Sequence, residues 1–158
     1  SEWGAGKQDE RIVLFYETMW GGTERMAKAI LEGIEKAGVE ASFYRLSVSD
    51  RSHIMSEVLT AAGILVGSPT LNNGMMPAVG DMLTYLKGLR PAGKLAAAFG
   101  SFGWSGGAQK DIEEMLTKAG VVLEPGLNLE WTPSAEEIEK AEAFGFAFAQ
   151  KVKEKCAK

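Results

Sequence analysis

Cysteine and histidine each occur once in the 158 residues, as Cys156 and His53. A single cysteine excludes an intramolecular disulfide and fits a reducing compartment such as the cytoplasm. A single histidine excludes a metal centre built on several histidines of this chain. No uninterrupted apolar run approaches the roughly 18 residues that a membrane-spanning helix needs. Basic residues are not in excess: 17 Lys and Arg stand against 21 Asp and Glu, a net charge of −4. That balance argues against a nucleic-acid scaffold, which would carry a basic face. Residues 1–10 are polar, with two glycines and a stray Trp3, and lack the apolar stretch of a signal peptide. They read as a tether or interdomain connector. Apolar residues make up 46% and charged residues 24% of the chain, values that exclude disorder. The remainder, 11–158, shows neither internal repeat nor linker. It is long enough for one domain with its own core.

Five apolar or small-residue runs alternate with segments of helical periodicity. Residues 12–16, Ile-Val-Leu-Phe-Tyr, form a continuous apolar run, as in a strand buried on both faces. Met26, Ala27, Ile30, Leu31 and Ile34 then recur at helical spacing up to Gly38, which is placed to stop that helix. Further strands are expected at 41–46, 63–67 and 95–99. A fifth, at 121–123 and 127–130, is broken at Glu124-Pro125-Gly126. Asp50 is placed to cap a short helix with Ile54, Met55, Val58 and Leu59, and Pro77 suits a first helical turn. A fourth helix is expected over about 106–119. Ser134 with Glu137 is a capping box for the last helix, whose Ile138, Ala141, Gly145, Phe148 and Val152 mark one face. Five strand–helix alternations predict an open parallel α/β sheet with helices on both faces.

Open sheets of this kind bind ligands at the carboxyl ends of their strands. Three loops there are unusual. The first runs from Glu17 to Glu24 and holds Thr18, Met19, Trp20, Gly21, Gly22 and Thr23; its hydroxyls, glycines and helix start suit an anion, with neutral donors in place of Lys or Arg. A tight turn with Thr23 as a helix cap accounts for it equally well. The second runs Ser68, Pro69, Thr70, Leu71, Asn72, Asn73, Gly74. The third includes Ser101, Phe102, Gly103, Trp104, Gly106 and Gly107, so a flat aromatic ligand could stack on it. Gly88 to Lys94 mimics a nucleotide P-loop, but Leu95 replaces its Ser/Thr and the segment precedes a strand, so it reads as a turn. No GxGxxG is present. His53 reads as exposed and Cys156 as incidental.

The loop Thr18-Met-Trp-Gly21-Gly22-Thr23 resembles the Thr-x-Thr-Gly-x-Thr phosphate loop of flavodoxins, with Trp20 in place of a hydroxyl residue. The stretches MWGGTERMA, GSPTLNNGMMP, LTYLKGLRP and FGSFGWSGGA resemble the flavodoxin-like domain of flavodiiron proteins. The resemblance covers about residues 11–153 and implies a short-chain flavodoxin fold, an open five-stranded parallel sheet of order 2-1-3-4-5 in three α/β/α layers. It implies FMN as cofactor, with phosphate on Thr18 and Trp20 to Thr23 and the isoalloxazine between loops 68–74 and 101–107. A backbone carbonyl among Asn72, Asn73 and Gly74 would face the reduced flavin. The implied partners are a diiron metallo-β-lactamase-like domain that reduces O2 or NO and a rubredoxin-like or flavin-reductase electron donor. The diiron motif is absent here, so the expectation is a C-terminal domain of such a protein or a stand-alone relative, monomeric or weakly dimeric by itself. Trp20, Leu71, Met75, Met76 and Trp104 would form a docking rim. No metal site, catalytic side chain, membrane association or nucleic-acid binding is expected. The competing readings are a stand-alone flavodoxin, an NAD(P)H-dependent FMN or quinone reductase, and a response-regulator-like module. The last would need an acidic residue where Gly67-Ser68 stand.

Overall fold

Residues 9–17, 22–69, 77–89, 93–102, 108–130 and 134–157 are described by a computed structural model. Their elements follow in the order β1 (Asp9–Tyr16), α1 (Gly22–Lys36), β2 (Glu40–Arg45), a 3-10 turn (Leu46–Val48), α2 (Arg51–Val58), β3 (Ala61–Pro69), α3 (Pro77–Leu89), β4 (Leu95–Phe102), α4 (Ala108–Ala119), β5 (Val122–Leu123), β6 (Leu127–Glu130) and α5 (Ala135–Cys156). All strand pairs are parallel, and the sheet runs β2-β1-β3-β4-β5, with β6 also on β4. Val122 and Leu123 pair with Leu95 and Ala96, and the register resumes at Leu127 opposite Phe99. The two segments are therefore one strand position interrupted at 124–126, which gives the expected five positions in the order 2-1-3-4-5. A Cβ on Gly126 would run into the Ala98 carbonyl and the Gln109 amide, so the break hugs β4 and α4.

The sheet carries apolar side chains on both faces, which explains the unbroken apolar runs. Ile12, Leu14 and Tyr16 of β1 point into one cluster with α1 and α5, through Met26, Ile30, Ile34, Phe148 and Val152. Val13 and Phe15 point into the other, with Ile54 and Val58 of α2, Val79 and Leu83 of α3, and Ile112 and Leu116 of α4. Leu31, expected on the inner face of α1, is only half-buried.

Local signals set the ends of the elements. The chain leaves α1 through Gly38 at φ +83°. The Asp50 side chain accepts from the Ser52 amide, and Ser134 with Glu137 forms the complete capping box. Strands β1, β3 and β4 run further than their apolar cores. Asp9, Ser68, Pro69 and Ser101 carry no strand-like hydrophobicity but find ladder partners in Ala61, Gly100, Ser101 and Pro69 respectively.

Helices α1 and α5 approach each other at two glycines. A Cβ on Gly33 would strike the Glu142 carbonyl, and one on Gly145 would strike the Ile30 carbonyl. Around this crossing Lys36 pairs with Glu142, and Lys153 donates to the Ala37 carbonyl at 3.0 Å.

Candidate cofactor site

From β1 the chain crosses to β2 on one side of the sheet and later returns to β3 on the other. The reversal leaves a crevice at the carboxyl ends of β1 and β3, the usual place for a ligand on an open sheet. Helix α1 begins there at Gly22, close after Tyr16 ends β1. The first four amides of a helix lack intrahelical acceptors and carry its partial positive charge, so this end suits an anion. Thr23 is buried inside the first turn and does not precede it. That position is not the N-cap that the alternative turn reading required. Met19, Thr18, Trp20 and Gly21 lie outside the described residues, and Gly22 is the opening residue of α1.

The adjacent strand ends supply a floor of small groups. Ser68 stands beside Gly100 in the β3–β4 ladder and Pro69 beside Ser101. Ser68 is fully buried, and its hydroxyl donates to the Pro69 carbonyl at 2.8 Å. The Phe99 ring occupies the space that a side chain at position 67 would need, so Gly67 is fixed by packing. A Cβ on Gly100 would lie 3.1 Å from the Ser68 carbonyl. Ser101 and Phe102 complete β4. Thr70, Leu71, Asn72, Asn73 and Gly74, with Met75 and Met76, lie outside the described residues, as do Gly103, Trp104, Gly106 and Gly107. The described part offers a helix start that suits an anion, beside the carboxyl ends of β3 and β4.

One part of the site escaped sequence reasoning. Glu17, directly after β1, is buried and held on several sides. Its amide donates to the Gly67 carbonyl at 3.1 Å. Its Oε1 accepts from Arg45 Nε at 3.0 Å and its Oε2 from the Ser47 amide at 2.8 Å. Arg45 Nη1 also lies 3.9 Å from Glu24 Oε1, and Lys28 reaches the other Glu24 oxygen at 3.0 Å. The hydrogen bond to Glu17 raises the Arg45 pKa above its ordinary value. Burial, followed by the Glu24 charge, raises that of the Tyr16 phenol next to them. No short-range signal marks this cluster, since Glu17, after β1, and Arg45, at the end of β2, stand 28 positions apart.

The remaining leads have structural roles. Lys94, the lysine of the P-loop look-alike, is buried at the opposite sheet edge and donates to the Leu59 and Ala61 carbonyls at 3.1 and 2.7 Å. His53 is exposed and pairs with Glu57 at 3.3 Å. Cys156 packs against the α1–α5 core cluster. Strand β3 closes on Gly67-Ser68-Pro69, with no carboxylate for a phosphoacceptor. Among the described residues no group of three His, Cys, Asp or Glu could hold a metal, and no helix is long and apolar enough to cross a membrane.

Comparison with known proteins agrees with this geometry. The family model described as flavodoxin matches residues 14–145. A protein named nitric oxide reductase from Moorella thermoacetica is 42% identical over 154 residues, which cover 96% of this chain and 39% of that protein. The structure of rubredoxin oxygen:oxidoreductase from Desulfovibrio gigas superposes with a TM-score of 0.92 at 37% identity, covering 96% of this chain and 38% of that one. The flavodiiron protein of Giardia intestinalis superposes with a TM-score of 0.91 at 30% identity, covering 95% and 38%. The chain thus spans about two fifths of the length of these relatives.

Proposed function

The chain belongs to the flavodoxin family, and from that premise we propose that it is the electron-carrying FMN domain of a flavodiiron O2 or NO reductase. FMN, when bound, takes up and releases electrons through its isoalloxazine ring. The observation that carries the reading is the start of α1 at the β1–β3 switch point, an arrangement for which flavodoxins are themselves the standard illustration. The residues at the site bind and orient. The amides at the start of α1, with Thr23 and the loop 18–22, hold the phosphate by neutral donors. The isoalloxazine would lie between the loops 68–74 and 101–107, beyond the carboxyl ends of β3 and β4. No side chain serves as acid, base or nucleophile, because electron transfer through the cofactor requires none.

In this reading residues 1–10 are the connector and 11–158 the domain. Electrons arrive from a rubredoxin-like or flavin-reductase donor and leave to a diiron centre in a metallo-β-lactamase-like domain. The length of the relatives supports that division, since well over half of each lies outside the matched region. The rim of Trp20, Leu71, Met75, Met76 and Trp104 would face that partner. Titration of the purified chain with FMN and FAD, followed by flavin fluorescence, tests the binding. Tight one-to-one uptake of FMN with much weaker uptake of FAD is expected, because one phosphate loop offers nothing for a second phosphate or an adenine. Equal uptake of both would refute the reading.

A further inference from the structure

We draw no further inference here: the strongest candidate, the open groove at the amino ends of β4 and β5 that Leu95 and the exposed Val122 line together with Lys151, Glu154 and Lys155 of α5, carries nothing because nothing in the structure shows what covers it.

Discussion

Thr23 is almost wholly buried in the first turn of α1, which is an unusual place for a hydroxyl unless it has a partner. If that partner includes the ligand phosphate, Thr23→Ala should weaken FMN about tenfold or more, the cost of a hydrogen bond to a charged group. Riboflavin titrated in parallel should be nearly unaffected, and equal weakening of both would place the phosphate elsewhere. Lys94 makes the opposite case. Its amine satisfies the Leu59 and Ala61 carbonyls at the far edge of the sheet. Lys94→Met should therefore lower unfolding stability by about 1–3 kcal/mol, read by urea denaturation, and leave FMN affinity unchanged. These residues also show what sequence conveys at this scale. The place of Thr23 at the opening of α1 was legible because a hydroxyl beside glycines at a strand-to-helix turn has a short-range pattern. Glu17, Arg45 and Lys94 were not, because each is defined by partners about thirty positions away, and a charged residue beside an apolar run reads as solvated until the fold buries it.

Between elements, the α1–α5 crossing makes a prediction contrary to helix propensity. Alanine in place of a helical glycine normally stabilises by about 0.8–1.0 kcal/mol. At Gly145 the added methyl would meet the Ile30 carbonyl, and at Gly33 the Glu142 carbonyl. Gly145→Ala and Gly33→Ala should each instead destabilise, by about 1–3 kcal/mol as overpacking does, and a raised melting temperature in either would contradict the geometry. A second tie joins α2 to β1 and β2. Glu57 pairs with Arg11 at 3.1 Å and with His53. Burial works against its charge, but hydrogen bonds from Ser42 and Tyr44 and the charges of Arg11 and His53 outweigh it and hold its pKa below 4.5. A lowered pKa in the folded state means that this contribution is full above 4.5 and fades as the pH falls through the lowered value. The stability difference between the unaltered chain and Glu57→Gln should therefore be largest near neutrality and shrink below pH 4.5. Element ends were legible where a cap or a glycine marks them, as at Ser134, Asp50 and Gly38. They were missed where a ladder alone extends a strand, as at Asp9 and Ser68-Pro69, because pairing needs a neighbour and not an apolar side chain.

At the scale of the molecule, the layering was legible from the alternation of buried runs and amphipathic helices, and the strand order came only with the resemblance carried by four motif stretches. What those motifs imply about the loops 70–76 and 103–107 lies outside the described residues. A ligand that binds only the folded chain raises its stability by about 2.7 kcal/mol when present at a hundredfold excess over its dissociation constant. FMN in such excess should raise the melting temperature by about 5–10 °C, and Thr23→Ala should reduce that rise at equal FMN concentration. Without the diiron domain the chain should sediment as a monomer or weak dimer. It should accept electrons from a reductase and consume no appreciable O2 or NO. A tight dimer with rapid gas consumption and no added metalloprotein would contradict the proposed division of labour.

The seating of α5 on α1 has a bearing on how the chain emerges from the ribosome. Ile12, Leu14, Ile30 and Ile34 are made early, while Phe148 and Val152, which share their cluster, are made more than a hundred residues later. At about 5–20 residues per second, the interval is on the order of ten seconds. The opposite face can be covered step by step as α2, α3 and α4 appear, whereas on this face α1 comes early and the part seated against α5 stays open until α5 is made. Until α5 is made, the chain therefore exposes apolar surface of β1 and α1, the kind of surface that makes incomplete chains prone to aggregate. A premature stop before residue 135 would yield an aggregation-prone fragment, and no smaller working carrier.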